Sequence, residues 1–133
     1  MDLRRAAAIG YAIISAGVVA FQIALAAGAP LGSAAMGGAF PGQYPPAMRV
    51  AAIFQAALIV LIAGVVLSRA DVALPGWSRP SRWLVWIVVA FLAVGFVLNL
   101  ATPSAAERVI WAPVALLLLV CSLVVATGRP PSE

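Results

Sequence analysis

Three amide side chains are the most polar groups inside the long apolar stretches of this sequence. They are Gln22, Gln55 and Asn99, and each lies in a different stretch. Amides donate and accept hydrogen bonds without carrying charge, so they can hold a neutral or weakly polar ligand. The same groups can instead hydrogen-bond between helices, where each pair contributes about 0.6–2 kcal/mol. The residue types therefore leave two interpretations open, a binding site or interhelical contacts.

Glu107 is the obvious candidate for a catalytic or proton-carrying carboxylate. However, residues 104–107 read Ser-Ala-Ala-Glu, which fits the S-x-x-E capping box. In that motif the Ser104 hydroxyl accepts a hydrogen bond from the backbone N–H of Glu107, and the carboxylate accepts one from the backbone N–H of Ser104. The motif predicts a helix that begins near residue 105 and gives Glu107 a structural role beside the chemical one.

The sequence lacks the residues that many catalytic centres need. It contains no His, and its single cysteine, Cys121, lies inside an apolar stretch. These absences exclude His-ligated haem, Ser-His-Asp hydrolysis and zinc sites built from His and Cys. A membrane enzyme would have to rely on Glu107, Arg108 and nearby hydroxyls. We therefore expect no enzymatic activity, no cofactor and no bound metal.

Composition indicates a membrane protein. Of the 133 residues, 65% are hydrophobic, against about 45–50% in soluble domains. A helix needs about 20 mainly apolar residues to cross the hydrocarbon core. The segments of that length are residues 6–27, 47–67, 83–101 and 106–127. We predict one all-α domain, an antiparallel bundle of four transmembrane helices, with connections at 28–46, 68–82 and 102–105.

The arginines predict how the bundle is oriented. Basic residues in short loops are retained on the cytoplasmic side. With both chain ends inside, the inner segments hold Arg4, Arg5, Arg69, Arg79, Arg82 and Arg129, against Arg49 and Arg108 outside. Trp77, Trp83 and Trp86 would then mark the inner interface and Trp111 the outer one. Because the arginines are dispersed, the net charge of +4 does not indicate nucleic-acid binding.

The first apolar stretch has a second interpretation. Arg4 and Arg5, the apolar run and the small residues around 24–26 also fit a secretory signal peptide. The run is longer than the usual 7–15 residues of such a peptide. We therefore expect an uncleaved first span.

The connection at 28–46 is long, rich in Gly and Pro, and free of charged residues. Such a loop can fold over the helix ends without desolvating a charge. In the predicted orientation the three amides lie in the outer third of the bilayer, beneath this loop. We predict an outward-facing cavity for a neutral ligand such as a lipid headgroup or a quinone. Its predicted boundary consists of Gln22, Gln55, Asn99, Glu107, Arg108 and Tyr44.

Four strings in the outer connections and the adjoining helix starts resemble a family of small bacterial membrane proteins with four predicted spans. They read GAPLG, MGGAFPG, PPAMRV and TPSAAERVIWAP. The resemblance implies a four-span architecture in the bacterial inner membrane. It supplies neither an activity nor catalytic residues.

The sequence favours a non-catalytic, multi-pass membrane protein that binds lipid or a small ligand, or that assists a larger membrane complex. The alternative is a small dimeric four-span transporter, similar to the small multidrug exporters. Those exporters carry a membrane-embedded Glu in their first span, whereas this sequence has Gln22 there. The partners predicted are the lipid bilayer and either a second copy or a complex subunit.

Overall fold

The structure is a computed structural model, which describes residues 2–128. Its long helices are α1 (Leu3–Ala26), α2 (Pro46–Arg69), α3 (Ser78–Ala101) and α4 (Ala105–Thr127). No strand occurs within residues 2–128. All four helices are long and apolar enough to cross a membrane, so the predicted all-α bundle of four candidate spans is confirmed. The orientation argument also used Arg129 and the C-terminal end, which lie outside the described residues.

Two helices begin three or more residues earlier than the hydropathy pattern predicts. α1 begins at Leu3 because the Asp2 carboxylate caps it, accepting a hydrogen bond from the Arg5 backbone N–H at 2.9 Å. α3 begins at Ser78, five residues before the predicted start at 83. Pro80 therefore lies in the first turn of α3, where its missing N–H leaves no helical hydrogen bond unmade.

Contacts between residues far apart in the sequence show that consecutive helices run antiparallel. Arg4 at the start of α1 pairs with Asp71 just after α2. We call the end of the bundle that contains this ion pair the terminal end. At the opposite end, the loop end, the Ser104 hydroxyl donates to the Ser33 carbonyl at 2.7 Å. Contacts between α1 and α2 and between α3 and α4 are the most extensive, and those between α2 and α3 are the smallest among adjacent helices.

The buried core consists of two clusters. The larger one lies toward the terminal end and includes Val66, Val85 and Val125. The smaller one lies at the loop end around Leu25 and Tyr44. The packing is therefore interrupted in the loop half of the bundle, between the two clusters.

The tryptophans differ in part from the predicted aromatic belts. Trp77, Trp83 and Trp86 are exposed near the terminal end, as expected for a membrane interface. Trp111 instead packs edge-on against Phe21 of α1, with ring centroids 4.6 Å apart. Its indole N–H donates to a loop carbonyl, so Trp111 connects elements of the bundle.

Candidate ligand-binding cavity

A cavity of about 710 Å³ occupies the gap between the two core clusters. All four helices and the α1–α2 loop contribute to its wall. On α1 the wall runs from Tyr11 to Gln22, which is about 16 Å at the helical rise of 1.5 Å per residue. This volume lies within the usual range of about 300–1,000 Å³ for small-molecule sites.

The cavity opens sideways between α2 and α3. Its exposed helical wall residues belong to these two helices, with Leu58 on α2 and Phe91 and Leu98 on α3. The wall residues of α1 and α4 are buried or half-buried. The small contact between α2 and α3 is consistent with this gap. If the bundle spans a bilayer, the opening faces the acyl chains.

The structure places all three predicted amides on the cavity wall. Asn99 is engaged within its own helix, because its Nδ2 donates to the Gly95 carbonyl at 2.8 Å. Across the described residues, the side chains of Gln22 and Gln55 make no hydrogen bond. Within the described residues, these two glutamines therefore form no interhelical hydrogen bond. Both amides remain available to a ligand.

Glu107 also lines the cavity, and its cap differs from the predicted motif. The Ser104 hydroxyl accepts from the Glu107 backbone N–H at 3.3 Å, as the motif predicts. The return bond is different, because the Glu107 carboxylate accepts from the Thr102 hydroxyl at 2.8 Å. That hydroxyl in turn accepts from the Ser104 backbone N–H at 3.3 Å. The Thr102 hydroxyl therefore bridges the Ser104 backbone N–H and the Glu107 carboxylate, which the predicted capping box would join directly.

The remaining two predicted residues behave differently from each other. Tyr44 is buried and lines the cavity. Burial, and next the negative charge of Glu107, raise the pKa of Tyr44 above its ordinary value, so the phenol is a neutral hydrogen-bonding group. Arg108 is exposed and is not among the wall residues, and its guanidinium donates to the Thr102 carbonyl. Arg108 therefore supports the α3–α4 connection instead of bounding the cavity.

The α1–α2 loop forms the roof of the cavity. Ala35, Met36 and Gly37 of this loop line the cavity. The roof is attached to α4, since the indole N–H of Trp111 donates to the Ala34 carbonyl at 2.6 Å. The Ser104–Ser33 bond at the start of α4 adds a second attachment. The uncharged sequence of the loop thus covers a partly apolar space without burying a charge.

Arg49 holds the two ends of the loop together. Its Nε donates to the Tyr44 carbonyl at 2.8 Å. Its guanidinium also lies against Gly28, where an added Cβ would be 3.3 Å from both terminal nitrogens. The first and last parts of the loop therefore both contact the Arg49 side chain. The Arg49 side chain itself is half-exposed.

Sequence reasoning missed the floor of the cavity. Ser15 lines the cavity, is 3% exposed, and its hydroxyl has no hydrogen-bond partner. The Tyr11 phenol, one helical turn away, is close to it without meeting hydrogen-bond geometry. The spacing of Tyr11, Ser15 and Gln22 follows one helical face. Extending that face from Gln22 would have found both hydroxyls.

Metal binding receives no support from the side chains that residues 2–128 bring together. Among them, no group of three or more His, Cys, Asp or Glu side chains could hold a metal ion.

Comparison with known proteins adds no relative to this description. No family model, no curated protein and no solved structure matches the chain. The resemblance to small bacterial four-span proteins stays a prediction.

Proposed function

We propose that this integral membrane protein binds a neutral amphiphile, a lipid or a quinone-type molecule, that enters its cavity from the bilayer between α2 and α3. The observation that carries the proposal is the sideways opening of a largely apolar cavity. A water-soluble ligand would need a path through the roof. A membrane-dissolved ligand reaches this opening by lateral diffusion.

The polar groups of the wall support a ligand with an uncharged polar head. Gln22 and Gln55 offer donors and acceptors without a partner among the described residues. Leaving such a group unpaired in an apolar environment costs about 1–3 kcal/mol, which a bound head group would recover. The buried Ser15 hydroxyl offers a second polar contact about 10 Å deeper along α1.

The same wall favours binding over catalysis in this proposal. Glu107 is the carboxylate on the wall, and its described bond to Thr102 assigns it to the helix cap. We further propose that the protein resides in the bacterial inner membrane, as the resembled family implies. There it would bind its ligand for itself or as an accessory subunit of a membrane complex.

Gly95→Phe tests this proposal by filling the cavity. Gly95 lines the cavity, and an added Cβ there meets nothing within 4 Å. We expect the Phe ring to occupy the space of the ligand and to lower the copurifying amphiphile at least several-fold. The amphiphile is measured by solvent extraction and mass spectrometry of the purified protein. Glycine destabilises helices, so the variant should still fold.

Gly17→Phe is the matched control. Gly17 is also a helical glycine with open space around it, and it does not line the cavity. We expect Gly17→Phe to retain the amphiphile at the wild-type ratio. Equal retention by both variants, or a wild-type protein that copurifies only with unselected bulk lipid, would contradict the proposed function.

A transporter of the same class of ligand is the second candidate, because a carboxylate does lie on the cavity wall. If Glu107 carries a proton during transport, Glu107→Gln should abolish the pH dependence of ligand flux into proteoliposomes. Arg108→Gln alters the neighbouring exposed residue and should preserve that dependence. If no ligand flux is detected, or if its pH dependence is unchanged in Glu107→Gln, the result would favour binding over transport.

A further inference from the structure

A second pocket lies at the terminal end, on the opposite end of the bundle from the roofed cavity. Its volume is about 340 Å³ and its wall is mainly polar. The end of α2, the following turn and the start of α3 form it. The wall residues are Ser68, Arg69, Asp71, Ser78, Arg79 and Arg82. Three of the six wall residues are thus arginines.

The single carboxylate in this wall does not balance Arg79 and Arg82. Asp71 is ion-paired with Arg4, whose side chain is 2% exposed and lies outside the pocket wall. Arg79 and Arg82 are exposed and form no ion pair with any residue between 2 and 128. The two guanidinium groups therefore present positive charge to the pocket.

The start of α3 adds the Ser78 hydroxyl and a helix dipole to this positive charge. Ser78 is the first residue of the 24-residue helix α3 and lines the pocket. The Ser78 backbone N–H already donates to the Pro75 carbonyl, and Pro80 has no N–H. The contribution of this helix start is therefore the positive end of its dipole. An anion in the pocket would therefore meet both guanidinium groups and the positive end of a helix.

The surrounding tryptophans relate the pocket to the membrane surface. Trp77 and Trp83 are exposed on the connection and the first turns of α3. Exposed Trp residues favour the level of the lipid headgroups. A polar pocket at that level, at the end of a candidate span, meets lipid phosphates at high local concentration. Basic pockets in this position bind phospholipid headgroups in other membrane proteins.

We propose that this pocket binds the phosphate group of an anionic phospholipid. Arginine recognises phosphate oxygens through paired N–H donors. Arg79 and Arg82 supply those donors, with the Ser78 hydroxyl and the start of α3 beside them. This inference does not rest on the proposed function, because the neutral ligand of the larger cavity and the phosphate bind at opposite ends of the bundle.

The test compares phosphatidylglycerol with phosphatidylcholine on the purified full chain in neutral detergent, where membrane orientation does not affect the result. Lipid retention is measured by native mass spectrometry. We expect the wild type to retain phosphatidylglycerol preferentially. The double variant Arg79→Gln/Arg82→Gln should weaken that retention about 10- to 30-fold and leave phosphatidylcholine unchanged. Arg79→Lys/Arg82→Lys, which keeps the charges but not the paired donors, should retain phosphatidylglycerol at a level between the wild type and the Gln variant.

Arg5→Gln/Arg108→Gln is the matched control, because both residues are exposed arginines outside the pocket wall. It should retain phosphatidylglycerol like the wild type. Equal losses in the two double variants would overturn the proposal, since they would reflect net charge alone. Inorganic phosphate that binds at micromolar concentration and displaces the lipid would also overturn it, by assigning the pocket to a soluble anion. Gly95→Phe should not affect phosphatidylglycerol retention, so the two proposals fail independently.

Discussion

Replacing Asp71 by Asn is expected to lower the free energy of unfolding by about 3 kcal/mol. Asp71 follows α2 and pairs with Arg4 of α1, and the Arg4 side chain is 2% exposed whereas that of Asp71 is 62% exposed. Asn keeps the shape of the side chain and tolerates the positive φ of 60° at this position. The substitution therefore removes the charge alone. It leaves a buried guanidinium without its counter-charge.

The cost should be sizeable because Arg4 is already incompletely satisfied. Its Nε and Nη1 atoms are buried and have no hydrogen-bond partner within the described chain. Breaking a buried pair by removing one partner costs about 3–5 kcal/mol. Exposure of the carboxylate places Asp71→Asn at the lower end of that range. The measurement is the unfolding midpoint in mixed micelles titrated with sodium dodecyl sulfate.

Arg4→Met provides the comparison. Met retains much of the apolar stem that packs near Gly128 and removes both the charge and the unsatisfied nitrogens. We expect Arg4→Met to cost about 1 kcal/mol or less, because an apolar replacement of a buried ion pair is often neutral. The double variant should resemble Arg4→Met. If Arg4→Met destabilised the protein more than Asp71→Asn, the buried charge would not be the cause.

Replacing Gly32 by Ala is expected to detach the roof from the cavity. A Cβ at Gly32 would lie 1.8 Å from the Phe40 carbonyl oxygen and 2.8 Å from the Gly42 carbonyl oxygen. Both atoms belong to the backbone, so no side-chain rotation can relieve the clash. The Gly32 N–H also donates to the Gly42 carbonyl at 2.9 Å. The methyl group therefore forces apart the two segments of the loop that meet at Gly32 and Gly42.

Opening of the roof can be followed with a cysteine at Ala35, in a Cys121→Ala background. Ala35 lines the cavity and has an extended backbone that accepts Cys. Overpacking of this kind costs about 1–3 kcal/mol, which corresponds to about 5- to 150-fold in an equilibrium. We expect Gly32→Ala to accelerate labelling of Cys at position 35 by a membrane-impermeant maleimide within that range.

Gly42→Ala separates steric from conformational effects. Gly42 lies in the same loop at φ 79°, and an added Cβ meets nothing within 4 Å. Only the cost of about 1–2 kcal/mol for a left-handed residue applies there. Because the added methyl group at Gly42 contacts no other atom, labelling should rise less than in Gly32→Ala. Equal labelling of all three proteins would show that the roof does not depend on the Gly32 contact.

Much of the fold could be predicted from local signals. The four apolar stretches predicted the helices, and the Ser104 cap placed the start of α4 at Ala105. The five-residue shift of α3 arose because the polar residues before Trp83 lie outside the apolar stretch, although the first turns of a helix accept them, Pro80 included. Five of the six predicted site residues line one cavity, because they lie near the same ends of their helices.

The rest depended on which side of each helix faces its neighbours. Arg4 and Asp71 are 67 positions apart, and no local pattern indicates their pairing. The inward side of Trp111 was equally hidden, whereas Ser15 shares a helical face with Gln22 and could have been placed from that spacing. In soluble proteins an apolar stripe marks the buried face of a helix. Here large apolar side chains are exposed on all four helices.

The sequence by itself determined the number of spans, their approximate ends and the uncharged character of the loop, because these follow from hydropathy and backbone chemistry along the chain. Only the tertiary structure decided the gap between α2 and α3, the Arg4–Asp71 pair and the basic pocket. The physical reason is that lipid is as apolar as a helix interface. Hydropathy therefore separates membrane from water, and it does not separate the bundle interior from lipid.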